Sequence, residues 1–310
     1  MRVLVTGAGG FLGGAIYRRL AARGDLEVIA SARSPIDLAP DAIPLDLASS
    51  YAVAKALELA RPDVVVHAAG RAHGSRGELY FANTLPTVHL AAALGMAAPT
   101  GAIILLSSAA RYGRSESRTP WRESNPDDPI GEYGFSKESA EAHAFAEARR
   151  SGLRVASLRI FNVVAPEPHG EQAFPAFLRK LAAAMAGPPP WWVEMGDLSA
   201  IRDFVALDDV LRAVERVIDR GVWGEPINVC TGVGRPVRTL LEDVSLAIAG
   251  AAPGAIEIAE SGPPPELDWS VGDPAKHQAL LGFTPSSDLS ALTAAAAAWV
   301  RIAAAERADA

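Results

Sequence analysis

The chain has 310 residues, 49% hydrophobic and 21% charged, with 29 Lys and Arg against 36 Asp and Glu for a formal net charge of −7. That length and apolar content exclude a largely disordered chain, and the acidic balance without a Lys or Arg run excludes the phosphate-backbone footprint of a DNA or RNA binder. The single cysteine, Cys230, allows neither an internal disulfide nor a Cys-x-x-Cys metal cluster, so no metal is expected and a reducing compartment fits.

The apolar start Val3-Leu4-Val5 breaks into glycines instead of an export signal, so a cytoplasmic protein is expected. Arg2–Val5, Glu27–Ala30, Val64–Val66, Ile103–Leu106 and Arg154–Leu158 lack polar alternation and are predicted strands covered on both faces. Between them, helical periods predict helices over Leu12–Arg23, Tyr51–Ala60, Tyr80–Leu94 and Lys137–Arg150. Leu79 to Ala110 carries no charged residue and is long enough to span a bilayer, but Asn83, Pro86, His89 and a Pro99-Thr100-Gly101 turn divide it into a buried helix and a buried strand. No membrane partner is expected.

This β-α-β order predicts an α/β fold, a doubly wound parallel sheet of the Rossmann kind. After about residue 165 the chain turns richer in Pro and Gly, with Pro188-Pro189-Pro190 and Pro263-Pro264-Pro265, and predicts a smaller C-terminal lobe. Its expected elements are helices at Phe174–Ala186, Asp208–Arg220 and Val237–Ala249, a strand near Asp203–Val205 and an alanine-rich helix from Leu289. The expected division is 1–165 and 166–310, with the chain crossing back to the sheet near 201–232.

The first strand runs directly into Thr6-Gly7-Ala8-Gly9-Gly10-Phe11-Leu12-Gly13, and a helix follows. Glycines at 7, 10 and 13 allow a tight turn, close approach of backbone to a pyrophosphate and close packing of helix on strand. The helix N-terminus offers free N–H groups to the anion. A dinucleotide is therefore expected on Gly7, Gly10, Phe11, Leu12 and Gly13. The second strand ends in Ser31-Ala32-Arg33 without an acid to take the ribose hydroxyls. The small Ala32 leaves room and Arg33 a charge for a 2′-phosphate, which favours NADP, with NAD still possible. Asp46-Leu47 suits the adenine edge, and Ala68, Ala69 and Gly70, after His67, let backbone approach the dinucleotide.

Tyr133 and Lys137 stand four apart, so on a helix both emerge on one face. A phenol titrating near ~10 is a poor acid-base group at neutral pH, and a neighbouring ammonium lowers that value by stabilising the phenolate. The strand Ile103–Leu106 delivers Ser107-Ser108 to the carboxyl end of the sheet, where a hydroxyl can hold a substrate oxygen against the tyrosine.

On these residues the sequence resembles the extended short-chain dehydrogenases/reductases of the NAD-dependent epimerase/dehydratase type. The resemblance spans nearly the whole chain. It rests on the glycine loop, Asp46-Leu47, His67-Ala-Ala-Gly70, Ser107-Ser108-Ala109-x-x-Tyr112-Gly113, Tyr133-x-x-x-Lys137, Leu158-Arg-x-x-Asn162-Val163, Arg202-Asp203-Phe204-Val205 with Asp208-Asp209-Val210, and Asn228-Val-x-Thr-Gly232. It implies that Ser108 orients the substrate, Tyr133 exchanges the proton, and Lys137 lowers the phenol's pKa while holding the nicotinamide ribose. It further implies that Asn162 contacts the substrate sugar near its pyrophosphate, that Arg202 pairs with that pyrophosphate, and that a homodimer forms through the helices at Tyr80–Leu94 and Tyr133–Arg150.

Dehydratases and decarboxylases of this family carry Thr or Ser followed by Asp-Glu or Glu after the fourth strand, whereas this chain has Ser108-Ala109-Ala110. The resemblance therefore implies reversible oxidation at a sugar carbon, by a nucleotide-sugar epimerase or a 4-ketoreductase. One departure stands out. The family's late Arg-Pro-x-Asp stretch is replaced by Pro263-Pro264-Pro265-Glu266-Leu267-Asp268-Trp269, leaving Arg202 with Arg235 or Arg238 for a diphosphate. A reductase of a non-nucleotide carbonyl compound stays open, as does a non-enzymatic dinucleotide-binding redox sensor, although sensors commonly lose the tyrosine or lysine kept here. Trp191, Trp192 and Trp269 are expected in lobe packing, and His73 and His169 in loops edging the cleft.

Overall fold

The computed structural model describes residues 1–97, 101–170, 172–249 and 254–308. Strands β1 (Arg2–Thr6), β2 (Glu27–Ala32), β3 (Ile43–Pro44), β4 (Val64–His67), β5 (Ala102–Ser108) and β6 (Arg154–Ile160) alternate with helices α1 (Phe11–Ala21), α2 (Ser50–Ala60), α3 (Arg76–Leu79), α4 (Leu85–Ala97) and α5 (Glu132–Ser151). There follow β7 (Asn162–Val164), α6 (Ala173–Ala184), β8 (Trp191–Met195), β9 (Ile201–Ala206), α7 (Leu207–Arg220), β10 (Pro226–Val229), β11 (Gly234–Pro236), α8 (Val237–Ala249), β12 (Ile256–Glu260), β13 (Trp269–Ser270), α9 (Ala275–Leu281) and α10 (Ser290–Ala308).

Among the described residues, seven strands form one parallel sheet in the order β10-β6-β5-β4-β1-β2-β3. Both faces are covered, as the unbroken apolar runs require. Val3, Val5, Val64, Val66, Ile104 and Leu106 pack on one side with Ile16, Leu20, Val214 and Val217 of α1 and α7. The intervening Leu4, Val65, Ile103 and Leu105 pack on the other with Val53, Leu57, Leu90 and Leu94 of α2 and α4. Successive strand side chains point to opposite faces, so one run of β-branched and aliphatic residues builds two cores.

A third core joins α6, α8 and α10 to β8 and Phe204. There β9 is the centre of a small sheet, flanked by β11 and β13 and paired also with β7, while β12 pairs with β8. The chain leaves the large sheet after β6 and returns to it with β10, beside β6. No helix among the described residues is long and apolar enough to cross a membrane.

Strands β1, β4 and β5 run past their expected ends, which makes Thr6, His67 and Ser108 the last residues of three adjacent strands. The helix expected over Tyr80–Leu94 is a different object: α3, then a π-helical turn over Tyr80–Thr84, then α4. A π turn inserts a residue without ending the helix and commonly marks a functional position. Of the predicted Pro99-Thr100-Gly101 turn, Pro99 and Thr100 lie outside the described residues. Strands β3, β7, β8 and β10–β13 were not expected from periodicity, because two to five residues carry too little pattern to read.

Candidate active site

The glycine loop bridges β1 and α1 at the carboxyl edge of the sheet. Gly7 adopts φ +69°, and a Cβ there would stand 2.7 Å from the Ala69 backbone; a Cβ on Gly13 would overlap the Gly7 carbonyl. Only glycine lets these three segments close on one another. The N-cap Gly10 brings no side-chain cap and the first turn of α1 no acid, so among the described residues no side chain caps the positive end of the helix. These are the features an anionic diphosphate requires. The Ala68 N–H donates to the Thr6 carbonyl at 3.3 Å, which holds Ala68 and Ala69 half-buried against the loop.

The remaining expected dinucleotide contacts are more open. Arg33 is exposed beyond the end of β2. The Asp46 carboxylate is exposed and accepts the Ala48 N–H at 3.0 Å, and Leu47 is half-buried behind it. Phe11 is faced by His169 from the segment after β7, ring centroids 4.5 Å apart.

Ser108, Tyr133 and Lys137 meet at the next strand end. Ser108 closes β5, its hydroxyl accepts the Ala110 N–H at 3.2 Å, and its side chain acts on the Tyr133 phenol, favouring the phenolate. Lys137 lies one turn further along α5, with Nζ 5.9 Å from the Tyr133 ring centre and donating to the Leu106 carbonyl at 2.9 Å. Electrostatics differ here from the expectation. Burial pushes the Tyr133 phenol upward despite the Ser108 hydrogen bond, and burial also pushes Lys137 down to about 8. In the free chain, desolvation of both groups outweighs the help Lys137 was expected to give the phenolate. Among the described residues the buried Ser107 hydroxyl has no hydrogen-bond partner.

Two residues here were missed. Asn83, 2% exposed in the π turn, donates to the Arg71 carbonyl at 2.9 Å and to Ser136 Oγ at 2.8 Å, and accepts the Arg71 N–H at 2.8 Å. A Cβ on Gly70 would lie 2.7 Å from Asn83 Oδ1 and 3.4 Å from Lys137 Nζ. Asn83 thus pins the strand end that carries Gly70 to the helix that carries Lys137. The only signal was an asparagine inside an apolar helix. His67 is 1% exposed, with Nδ1 2.8 Å from Thr6 Oγ1, and burial together with Lys137 pushes its pKa down to about 3.

On the opposite wall the expected substrate residues are engaged with backbone. Asn162 donates to the Asp203 carbonyl at 3.1 Å, and Arg202 donates to the carbonyls of Ile201 at 3.0 Å and Leu267 at 2.5 Å. Burial lowers the Arg202 pKa from its ordinary value. Asp203 holds the fold: its carboxylate takes the Thr231 N–H and hydroxyl and the Gly232 and Gly272 N–H groups. Arg235 pairs with Asp243 and Arg238 with Glu260, so both reserve arginines are held by carboxylates. Arg114 and Arg118 reach the stretch lacking an arginine, bonding to the Glu266 carbonyl at 3.2 Å and to Asp268 at 2.9 Å. Trp269 is buried at 6% and Trp192 is 62% exposed.

A model of the NAD dependent epimerase/dehydratase family matches residues 3–230. The dTDP-6-deoxy-L-talose 4-dehydrogenase (NAD(P)(+)) of Kitasatospora kifunensis is 32% identical over 294 residues, spanning 93% of this chain and 92% of that protein. The GDP-6-deoxy-D-mannose reductase of Pseudomonas aeruginosa is 30% identical over 247 residues, 78% of each. Among solved structures, the UDP-glucose 4-epimerase of Thermus thermophilus in complex with NAD superposes with a TM-score of 0.80 at 28% identity, covering 97% of this chain and 99% of that one.

Proposed function

Since the chain belongs to the NAD dependent epimerase/dehydratase family, we propose that it is an NAD(P)-dependent oxidoreductase that interconverts a hydroxyl and a keto group at C4 of a nucleotide-linked sugar, and that its substrate is a 6-deoxyhexose. The observation that carries this reading is the Ser108–Tyr133–Lys137 cluster at the carboxyl edge of the sheet, beside an uncapped helix N-terminus. The 4-dehydrogenase and the reductase among the relatives support the reaction and the sugar class.

The dinucleotide would lie on Gly7, Gly10, Phe11, Leu12 and Gly13, along Arg33, Asp46, Leu47, Ala68, Ala69 and Gly70, where it would supply or accept the hydride at the sugar carbon. The chain supplies the rest. Ser108 hydrogen-bonds the sugar oxygen and holds it against Tyr133. Tyr133 Oη gives that oxygen its proton in reduction and takes it in oxidation, and Lys137 steadies the phenolate and the ribose. Asn162 and Arg202 face the nucleotide diphosphate, for which Arg202 must exchange a carbonyl partner for a phosphate oxygen. With Ala109 and Ala110 after Ser108, no carboxylate stands where elimination of water would need one. Arg33 supports NADP as the preferred cofactor.

A second reading, a 4-epimerase, draws on the likeness to the Thermus enzyme over nearly the whole chain. Mixing the protein with NADPH and a nucleotide-linked 4-keto-6-deoxyhexose decides between them. Stoichiometric loss of nicotinamide absorbance with one sugar product supports the reductase. Given the oxidised cofactor and the corresponding 4-hydroxy nucleotide sugar instead, interconversion of two 4-epimers without net change in absorbance supports the epimerase. We place the enzyme in the cytoplasm as a homodimer through α4 and α5, whose neighbourhood leaves Phe81 at 61%, Phe135 at 50% and Met96 at 81% exposure.

A further inference from the structure

Between Ser108 and Tyr133 the chain makes a loop whose two ends touch. A Cβ on Gly113, where φ is +77°, would overlap the Asp128 carbonyl oxygen, and one on Gly134 would stand 2.5 Å from the Ala110 carbonyl oxygen. The Asp128 N–H donates to the Arg111 carbonyl at 3.1 Å. The loop leaves and returns at one neck, and the two reacting side chains sit on either side of it.

Arg111 fills that neck from below. Its side chain is 4% exposed; Nε donates to Asp127 Oδ1 at 2.5 Å, Nη2 pairs with Oδ2, and Nη1 lies 2.5 Å from Glu141 Oε1. Glu141 stands on α5 one turn beyond Lys137 and also receives Arg159 Nη2 of β6 at 2.7 Å and the Ser157 hydroxyl at 2.6 Å. Burial pushes the Glu141 carboxyl up, but Arg159 and Arg111 outweigh it and the net direction is down, so it stays ionised. Arg159 Nη1 donates in turn to Tyr112 Oη at 2.8 Å, and Tyr112 to Asn228 Oδ1 at 2.6 Å. Buried ion pairs add little net stability over apolar packing of the same volume, so stability alone is a poor reason for two buried guanidiniums here. What they fix is relative position.

We infer that Arg111, clamped between Asp127 and Glu141, is a positioning residue that sets the Ser108 hydroxyl on the Tyr133 phenol; the inference rests on the oxidoreductase reading above. The connections are short and stiff. Ser108 lies three residues before Arg111 in a 3₁₀ turn it caps itself, Tyr133 lies six residues after Asp127, and Glu141 lies eight residues after Tyr133 on one helix. A displacement of about 1 Å in such a pair costs up to ~10²-fold in rate. The groups facing the phenol are Ser108 from β5 and Lys137 from its own helix, with Lys137 in turn acting on His67 of β4.

The test uses Asp127→Ala, because Asp127 is 26% exposed on its side chain and its loss leaves Arg111 one buried partner. Arg111→Met, which leaves Asp127 without its guanidinium while Glu141 keeps Arg159, and Arg111→Lys complete the series. Asp127→Ala should lower kcat about tenfold while KM for the nucleotide sugar and Kd for NADPH stay within about twofold, with Arg111→Lys between wild type and Arg111→Met. A readout free of any substrate is the 19F titration of protein carrying 3-fluorotyrosine, the Tyr133 resonance assigned by its loss in Tyr133→Phe. Asp127→Ala should raise its midpoint by about half a pH unit, since Ser108 stabilises the phenolate. An unmoved midpoint overturns the inference, whether or not the wild type turns over a sugar. So does a loss of kcat matched by equal losses in NADPH affinity and melting temperature, which would mark general destabilisation. A wild type that binds NADPH, shows the shifted midpoint in Asp127→Ala and reduces no nucleotide sugar would instead refute the functional reading alone.

Discussion

The two walls of the cleft spend their polar groups differently. On the β5–α5 wall, Ser108 acts on Tyr133, and the buried charges behind them pair with one another, Arg111 and Arg159 both on Glu141. On the β7–β9 wall, Asn162 and Arg202 bond to main-chain carbonyls that a ligand can replace. A wall locked to itself suits chemistry shared by many substrates, and a wall held by exchangeable partners suits choosing among them.

Breaking the first wall should have the largest effect. Tyr133→Phe is expected to cut turnover by ~10²–10⁴ with NADPH binding largely kept, as steady-state kinetics beside a fluorescence titration would show. Unchanged turnover would move the acid-base role elsewhere. The neighbouring end of β4 should respond to acid. His67 titrates near 3 when folded, below its ordinary 6.5, so the unfolded chain takes up the proton first; stability is complete above about pH 6.5 and falls as pH drops toward 3. His277, pushed down to about 4 by burial, adds to the loss. Urea unfolding between pH 7 and pH 4 should show a decline on the order of a few kcal/mol, shallower in His67→Gln.

The second wall should give smaller, binding-type changes. Arg202→Gln is expected to raise KM for the nucleotide sugar about tenfold with kcat nearly kept, since a hydrogen bond to a charged group contributes ~1.5–3 kcal/mol and part of it is offset by the carbonyls released. A fall in kcat as deep as that of Tyr133→Phe would erase the distinction between the walls. The smallest effect belongs to the exposed Arg33. NADP should bind better than NAD by roughly ten- to a hundredfold, and Arg33→Ala should remove most of that preference. Equal or tighter NAD binding by the native protein would count against the 2′-phosphate role.

What could be read beforehand was local. The glycine loop, the strand before it and the helix after it are contiguous, and Tyr133 and Lys137 share one helix, so spacing alone brings each group together. Asn83 could not be read that way, because the π turn that aims it at Ser136 is settled by packing 53 residues away. Arg111 and Glu141 look like surface charges until the loop neck closes over them. Arg202 was legible as a cation, but its hold on Leu267 spans 65 residues that no period connects.

The return of β10 to the large sheet also bears on how the protein is made. Its residues Pro226–Val229 pair with Ser157–Ile160, so the edge of β6 stays open on the ribosome until the excursion through β7, α6, β8, β9 and α7 has been translated. Until then β6 presents backbone donors and acceptors beside Val155, Ala156 and Leu158, a template for pairing with another nascent chain. A fragment ending near residue 165 would carry the whole glycine loop and the Tyr133–Lys137 helix yet expose that edge permanently, and its natural fate is aggregation. The substrate side of the cleft is, in biogenesis, the scaffold on which the cofactor side is completed.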